Sequence, residues 1–173
     1  MKKTISTSIF LLLVTFTTIA QVDRSNFKAG LTAGIPVGDA SDISSFALGL
    51  ELNYHYGVSK LLDIGFATGF INSFGETQTL SVGEFEVEGE FEDFQFIPAA
   101  ASVRLYPTYE FKFGADVGYA LGINDGNDGG FYYRPVVGYS ITGNTEINVS
   151  YSTVALDDNF NFSIAMVGIL FLF

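Results

Sequence analysis

The stretch 111–123 reads FKFGADVGYALGI. Phe111, Phe113, Ala115, Val117, Tyr119, Leu121 and Ile123 share one parity, and Lys112, Gly114, Asp116, Gly118 and Gly122 the other. Successive side chains of a strand point to opposite faces, so this period of two describes a strand with one apolar face and one face of charge and glycine. It is also long enough, at about ten residues or more, to cross a bilayer at a tilt.

Seven further runs repeat the pattern, over residues 27–37, 46–57, 62–71, 91–105, 131–141, 145–154 and 161–173. Helical spacing is absent from all of them. The run 91–105 is blurred by Ala99, Ala100 and Ala101, and the closing run, NFSIAMVGILFLF, is apolar on both faces. The connections alternate in length. Those at 57–61, 106–110 and 142–144 are short; those at 38–45, 72–90, 124–130 and 155–159 are longer and acidic, with Asp39, Asp42, Glu76, Asp125, Asp128, Asp157 and Asp158. Short periplasmic turns alternating with longer extracellular loops is the asymmetry of outer-membrane barrels. The expected fold is therefore all-β: an eight-stranded antiparallel up-and-down transmembrane β-barrel over residues 21–173, with both termini periplasmic.

Residues 1–20 read as a cleaved signal peptide. Lys2 and Lys3 precede the short apolar core IFLLLV at 9–14, and Thr18 and Ala20 supply small residues before the cut. That places the mature chain in the outer membrane of a Gram-negative bacterium. Cysteine is absent, which excludes disulfides and thiol lipidation. Beyond the signal, six Lys/Arg face nineteen Asp/Glu, a balance that excludes nucleic acid as a partner. Such acidity with few aromatics would mean disorder; 18 Phe, 9 Tyr and 19 Gly argue for a folded membrane barrel instead.

In such a barrel the apolar parity meets lipid and the other fills the lumen. Parity places Lys28, Arg104, Lys112 and Arg134 inside with Glu51, Asp63, Asp116 and Glu146, four charges of each sign. Buried charges persist only when paired, so an interior ion-pair network is expected, densest at the short-turn end, with Asp63 and Arg104 as neighbours. Eight strands enclose just enough room for side chains, so the lumen should be filled. Glycines 30, 34, 49, 65, 69, 114, 118, 122 and 138 share the inward parity. By the same habit Gly168 turns inward, sending Val167, Ile169, Phe171 and Phe173 to lipid and Leu170 and Leu172 into the lumen. Tyr54, Tyr56, Tyr106, Tyr109 and Tyr139 suit an aromatic girdle near the short turns. Pro98 and Pro135 each remove a ladder donor, so a bulge or an unpaired carbonyl is expected at both.

Candidate chemistry is sparse. His55, the sole histidine, points inward near the short-turn end with no serine motif nearby, and reads as filler. The loop NDGNDGG at 124–130 lacks EF-hand spacing and reads as a plain turn. The segment GEFEVEGEFED at 83–93 sets Glu84, Glu86, Glu88, Glu90 and Glu92 against apolar residues, and reads as an extension of the fourth strand above the membrane. It is the candidate contact for a surface protein partner or divalent ions. There is no metal cluster, phosphate loop or triad, hence no expected cofactor and no enzymatic role. The other expected partners are outer-membrane lipids and the barrel-assembly machinery, engaged through the C-terminal strand ending at Phe173. The competing readings are a small porin or secretion-associated barrel, and a lipid- or peptide-hydrolysing outer-membrane enzyme.

The blocks Phe94-Gln95-Phe96-Ile97-Pro98, Arg104-Leu105-Tyr106 and Phe113-Gly114-Ala115-Asp116-Val117-Gly118-Tyr119 resemble the PorT-like small outer-membrane β-barrels of Bacteroidetes, and the resemblance spans the whole mature chain. That family commonly carries an acid two residues before the proline and a base four after it. Here Phe96 and Ser102 hold those positions, with Arg104 two further along on the same face. The resemblance implies a barrel without a shared enzyme activity, one branch of which takes part in protein secretion.

Overall fold

The computed structural model describes residues 26–82, 85–156 and 160–173, and over 78–82, 85–88 and 90 the backbone only. The signal peptide expected at 1–20, Glu84, Asp157 and Asp158 lie outside the described residues.

Ten strands form among the described residues: β1 (Asn26–Val37), β2 (Ser44–Gly57), β3 (Leu62–Gly75), β4 (Thr77–Val82), β5 (Phe85–Glu90), β6 (Phe94–Leu105), β7 (Phe111–Gly122), β8 (Gly130–Thr142), β9 (Thr145–Ala155) and β10 (Asn161–Leu172). Eight of them close an antiparallel barrel in the cyclic order β1-β10-β9-β8-β7-β6-β3-β2, while β4 and β5 pair only with each other. The seam is β1 against β10, from Lys28 opposite Leu172 to Val37 opposite Ser163. Beyond the last rung, the Phe173 amide donates to the Phe27 carbonyl at 2.9 Å. Every barrel strand thus has two neighbours, the condition for spanning hydrocarbon with strands.

The burial pattern is inverted relative to a water-soluble protein. Leu31 and Ile35 are each 66% exposed, whereas Lys28 is 2%, Arg134 4% and Asp116 0% exposed. An apolar outer wall around a charged interior is stable only where hydrocarbon replaces water outside. Glycine makes the tight curvature feasible. A Cβ on Gly30 would lie 1.9 Å from the Ile169 carbonyl oxygen, and one on Gly65 1.9 Å from that of Tyr54. No other residue lets neighbouring strands approach so closely.

Three expectations are corrected. The acidic segment does not extend the fourth barrel strand: β5 forms a separate hairpin with β4, and β6 starts only at Phe94. Within the hairpin Glu86, Glu88 and Glu90 oppose Ser81, Thr79 and Thr77. Pro98 and Pro135 create no bulge. Pairing simply lapses for two residues, between Thr68↔Ala99 and Ile71↔Phe96 on one seam and between Tyr133↔Thr153 and Val136↔Ser150 on another, with the register unchanged on either side. Within the first lapse the carbonyl of Pro98 accepts the Thr68 hydroxyl at 2.7 Å. The two register shifts occur at Ser44/Phe46 and Ser140/Thr142, where strands end. Finally, Tyr106 leaves the girdle: Tyr54, Tyr56, Tyr109 and Tyr139 are exposed on the wall, but Tyr106 turns over the lumen, its ring centroid 5.5 Å from Lys112 Nζ.

Candidate functional site

The lumen has two storeys, because each inward position draws from a different part of its strand. At the end carrying the short turns, β1, β6, β7 and β9 contribute Lys28, Arg104, Lys112 and Glu146. At the end carrying the longer loops, β3, β6, β8 and β10 contribute Ile71, Phe96, Tyr132, Phe162, Ile164 and Met166.

The lower storey is a paired charge network. Glu146 Oε2 accepts Lys28 Nζ at 3.1 Å and also Lys112 Nζ. Asp116 accepts Arg104 through Nη1 at 2.7 Å and Nη2 at 3.1 Å, and Arg134 through Nε at 2.9 Å. Arg134 Nη2 reaches Glu51 Oε1 at 2.5 Å, where Asn53 also donates at 2.8 Å; Asn148 donates to Glu51 Oε2 at 3.3 Å. The planar guanidinium of Arg134 therefore links two carboxylates from β2 and β7 across the barrel, a geometry lysine could not supply. Asp63 faces Arg104 in the β3–β6 register and bonds Tyr106, but the two-point bond of Arg104 goes to Asp116. Burial, with Asp63's charge adding to it, pushes the Tyr106 phenol above its usual range, so the hydroxyl stays protonated in the turn after β6.

His55 is not isolated, contrary to expectation. Its Nε2 lies 2.8 Å from Ser102 Oγ, and Ser102 in turn faces Asp116 in the β6–β7 register. A hydrolytic triad places the acid on the far nitrogen of the histidine and lets histidine take the serine proton. Here the acid is beside the serine, and all three groups are buried. The order is wrong for nucleophilic attack. Parity puts both His55 and Ser102 inward; what one sequence does not give is the register that sets both opposite Gly65 of β3, over which they meet.

The upper storey is aromatic. Phe162 packs on Phe94 at 4.8 Å, Phe96 at 5.4 Å and Phe160 at 6.5 Å between ring centroids. Phe96, Phe162, Ile164, Met166 and Tyr132 are buried and fill the cylinder's width. Between the storeys lies a cavity of about 10 Å³, beside Thr32, Glu51, Tyr132 and Arg134. A single water needs about that much.

Above the plug, Ile43, Phe94, Leu156 and Phe160 form the floor of a recess of about 320 Å³, with Gly126, Asn127, Asp128 and Gly129 along one side. The loop 123–129 is held by its asparagines. Asn124 donates to the Asp93 carbonyl at 2.8 Å and accepts from the Gln95 amide at 2.9 Å; Asn127 donates to the Gln95 carbonyl at 3.0 Å. Asp93 anchors the hairpin base by accepting the Gly75 amide at 3.0 Å and Asn72 at 3.1 Å. Among the described residues, no cluster of three or more His, Cys, Asp or Glu is arranged to hold a metal. The described charges in the loop-end connections are all acidic, from Asp39 and Asp42 through Glu76, Glu92 and Asp93 to Asp125 and Asp128.

No family model and no curated protein matches the chain. Solved structures do match. Ail, the attachment invasion locus protein of Yersinia pestis, superposes with a TM-score of 0.56 at 16% identity, covering 86% of this chain and 97% of that one. The outer-membrane protein OprG of Pseudomonas aeruginosa gives 0.51 at 12% identity, covering 88% and 97%. A de novo designed transmembrane β-barrel gives 0.54 at 12% identity, covering 89% and 100%. The fold is that of a small outer-membrane barrel. At these identities the likeness extends to architecture alone.

Proposed function

We propose that this chain is a non-enzymatic outer-membrane barrel with a closed lumen, which acts through its acidic loop end at the cell surface while its termini and short turns face the periplasm. The observation that carries this reading is the stacking of an aromatic plug on a paired charge network, with room for about one water between them. A conducting pore would need a continuous wet path, and an enzyme would need an accessible nucleophile. The likeness to Ail and OprG supports the outer membrane as the site. The Phe94–Pro98, Arg104–Tyr106 and Phe113–Tyr119 blocks support a place among the PorT-like barrels of Bacteroidetes. The β1–β10 seam supports delivery of the last strand to the barrel-assembly machinery.

The acidic loop end also bears on the kind of partner. One structure of Ail holds the heparin analogue sucrose octasulfate, a polyanion; a loop end whose described charges are all negative is unsuited to such a ligand.

Two measurements test the reading. In planar bilayers the protein should show no steady conductance, and a sustained open level would overturn the closed lumen. The chain has no cysteine. Single cysteines at Asp125 and Lys60 can therefore be probed in whole cells with a membrane-impermeant maleimide. Labelling is expected at 125 and not at 60; the reverse would invert the orientation.

A further inference from the structure

The recess above the plug is not explained by closure of the lumen. Its floor, Ile43, Phe94, Leu156 and Phe160, is only partly buried, and it opens at an end where the described charges are all acidic. We propose that it is a binding site for a small organic cation, an aryl or alkyl ammonium, whose apolar part sits on the phenylalanines and whose charge is held at the acidic rim. This rests on the reading of the loop end as the working face, and names what that face takes.

Three features select this chemistry. At about 320 Å³ the recess lies at the small end of the range for small-molecule sites, which begins near ~300 Å³, so it fits one ring with a quaternary ammonium and not a folded partner. Phe94 and Phe160 are partly buried above Phe162, and aromatic faces attract cations through the ring quadrupole. Asp128 lines the recess, with Asp125 and Asp42 one residue from lining positions, and no described Lys or Arg lies in a loop-end connection. That field concentrates cations and repels anions. The floor is also pre-organised. The Asn124 and Asn127 staples fix the loop on one side, and the Phe162 stack fixes the rings beneath, so little ordering remains to oppose binding.

The test is titration of the full-length mature chain, refolded in a nonionic detergent, with benzyltrimethylammonium. Amide shifts are followed by NMR, with benzyl alcohol as the neutral counterpart and benzenesulfonate as the anionic one. The cation should give saturable shifts at Gly126, Gly129 and Phe160, weakening as salt is raised. Benzyl alcohol should bind at least about threefold more weakly and benzenesulfonate not at all, since an exposed charge contributes modestly. Asp128→Asn and Phe160→Leu should each weaken the cation about three- to fivefold, the second by removing the aromatic face while keeping an apolar one. No saturable shift, shifts confined to lipid-facing residues such as Val137 and Val149, or equal affinity for the three probes would overturn the proposal. Should Phe160→Leu fail to fold, Asp128→Asn at its exposed position decides together with the salt dependence. Conductance and labelling report on the barrel and its orientation, and this titration only on the recess, so either reading can fail without the other.

Discussion

Replacing Asp116 by leucine isolates the energetics of the lumen. Asp116 is fully buried and accepts from both terminal nitrogens of Arg104, at 2.7 and 3.1 Å, and from Nε of Arg134. Arg134 would keep Glu51 at 2.5 Å, so the loss falls mainly on Arg104, left with the Val103 carbonyl at 3.0 Å and Asp63 opposite it in the register. Removing one partner of a buried pair costs about 3–5 kcal/mol, and the nearness of Asp63 argues for the lower figure. With a urea dependence of about 2 kcal/mol per molar, the midpoint should fall by about 1.5 M. The chain has nine tyrosines and no tryptophan, so tyrosine fluorescence in lipid vesicles is the probe, checked by the heat-modifiable shift on gels. The double variant Asp116→Leu with Arg104→Met should recover to within about 1 kcal/mol of the parent, because the lumen's charges of the two signs are then again equal in number. A fall below about 0.5 M for the single variant, at unchanged slope, would mean water solvates Arg104, and the closed-lumen argument would collapse.

Other outcomes follow from the wall and the plug. Phe162→Ala removes the ring on which Phe94, Phe96 and Phe160 converge, and should cost about 3–5 kcal/mol in the same urea assay; a loss under about 1 kcal/mol would show that the upper storey is loosely packed. Gly65→Val puts a side chain where a Cβ already lies 1.9 Å from the Tyr54 carbonyl oxygen, and should abolish the heat-modifiable band. Gly143→Ala, with nothing within 4 Å of the added carbon, should leave the band unchanged. Equal behaviour of the two would refute the close-approach account of the inward glycines.

Parity made much of this legible in the sequence. Charge and glycine on one face of each strand are enough to say which residues line a barrel, and Arg134, Asp116 and Glu51 illustrate it. Who bonds whom was not legible. Strand neighbours suggested Asp63 on β3 for Arg104, but β6 has a second neighbour in β7, and the planar guanidinium found two acceptors on Asp116, which sits opposite Ser102 there. The aromatic plug was missed although a signal existed. Arg104 facing inward fixes Phe94 and Phe96 on the same face of β6, and the alanine run obscured that inference. The β4–β5 hairpin was misjudged because alternation reports a strand without naming its partner, and residues 91–93 break the continuity with β6.

Pro98 and Pro135 mark a division in the wall. Their lapses in pairing fall on the β3–β6 and β8–β9 seams, so β6, β7 and β8 form a three-strand panel bounded on each side by a seam with one two-residue gap. That panel carries Arg104, Lys112 and Arg134 against Asp116 alone, whereas the remaining strands carry Glu51, Asp63 and Glu146 against Lys28. Panel and frame are therefore oppositely charged toward the lumen, and Arg134–Glu51 and Lys112–Glu146 span the gap between them. Across each two-residue lapse in the ladder, electrostatic attraction adds to what the backbone pairing on either side already holds.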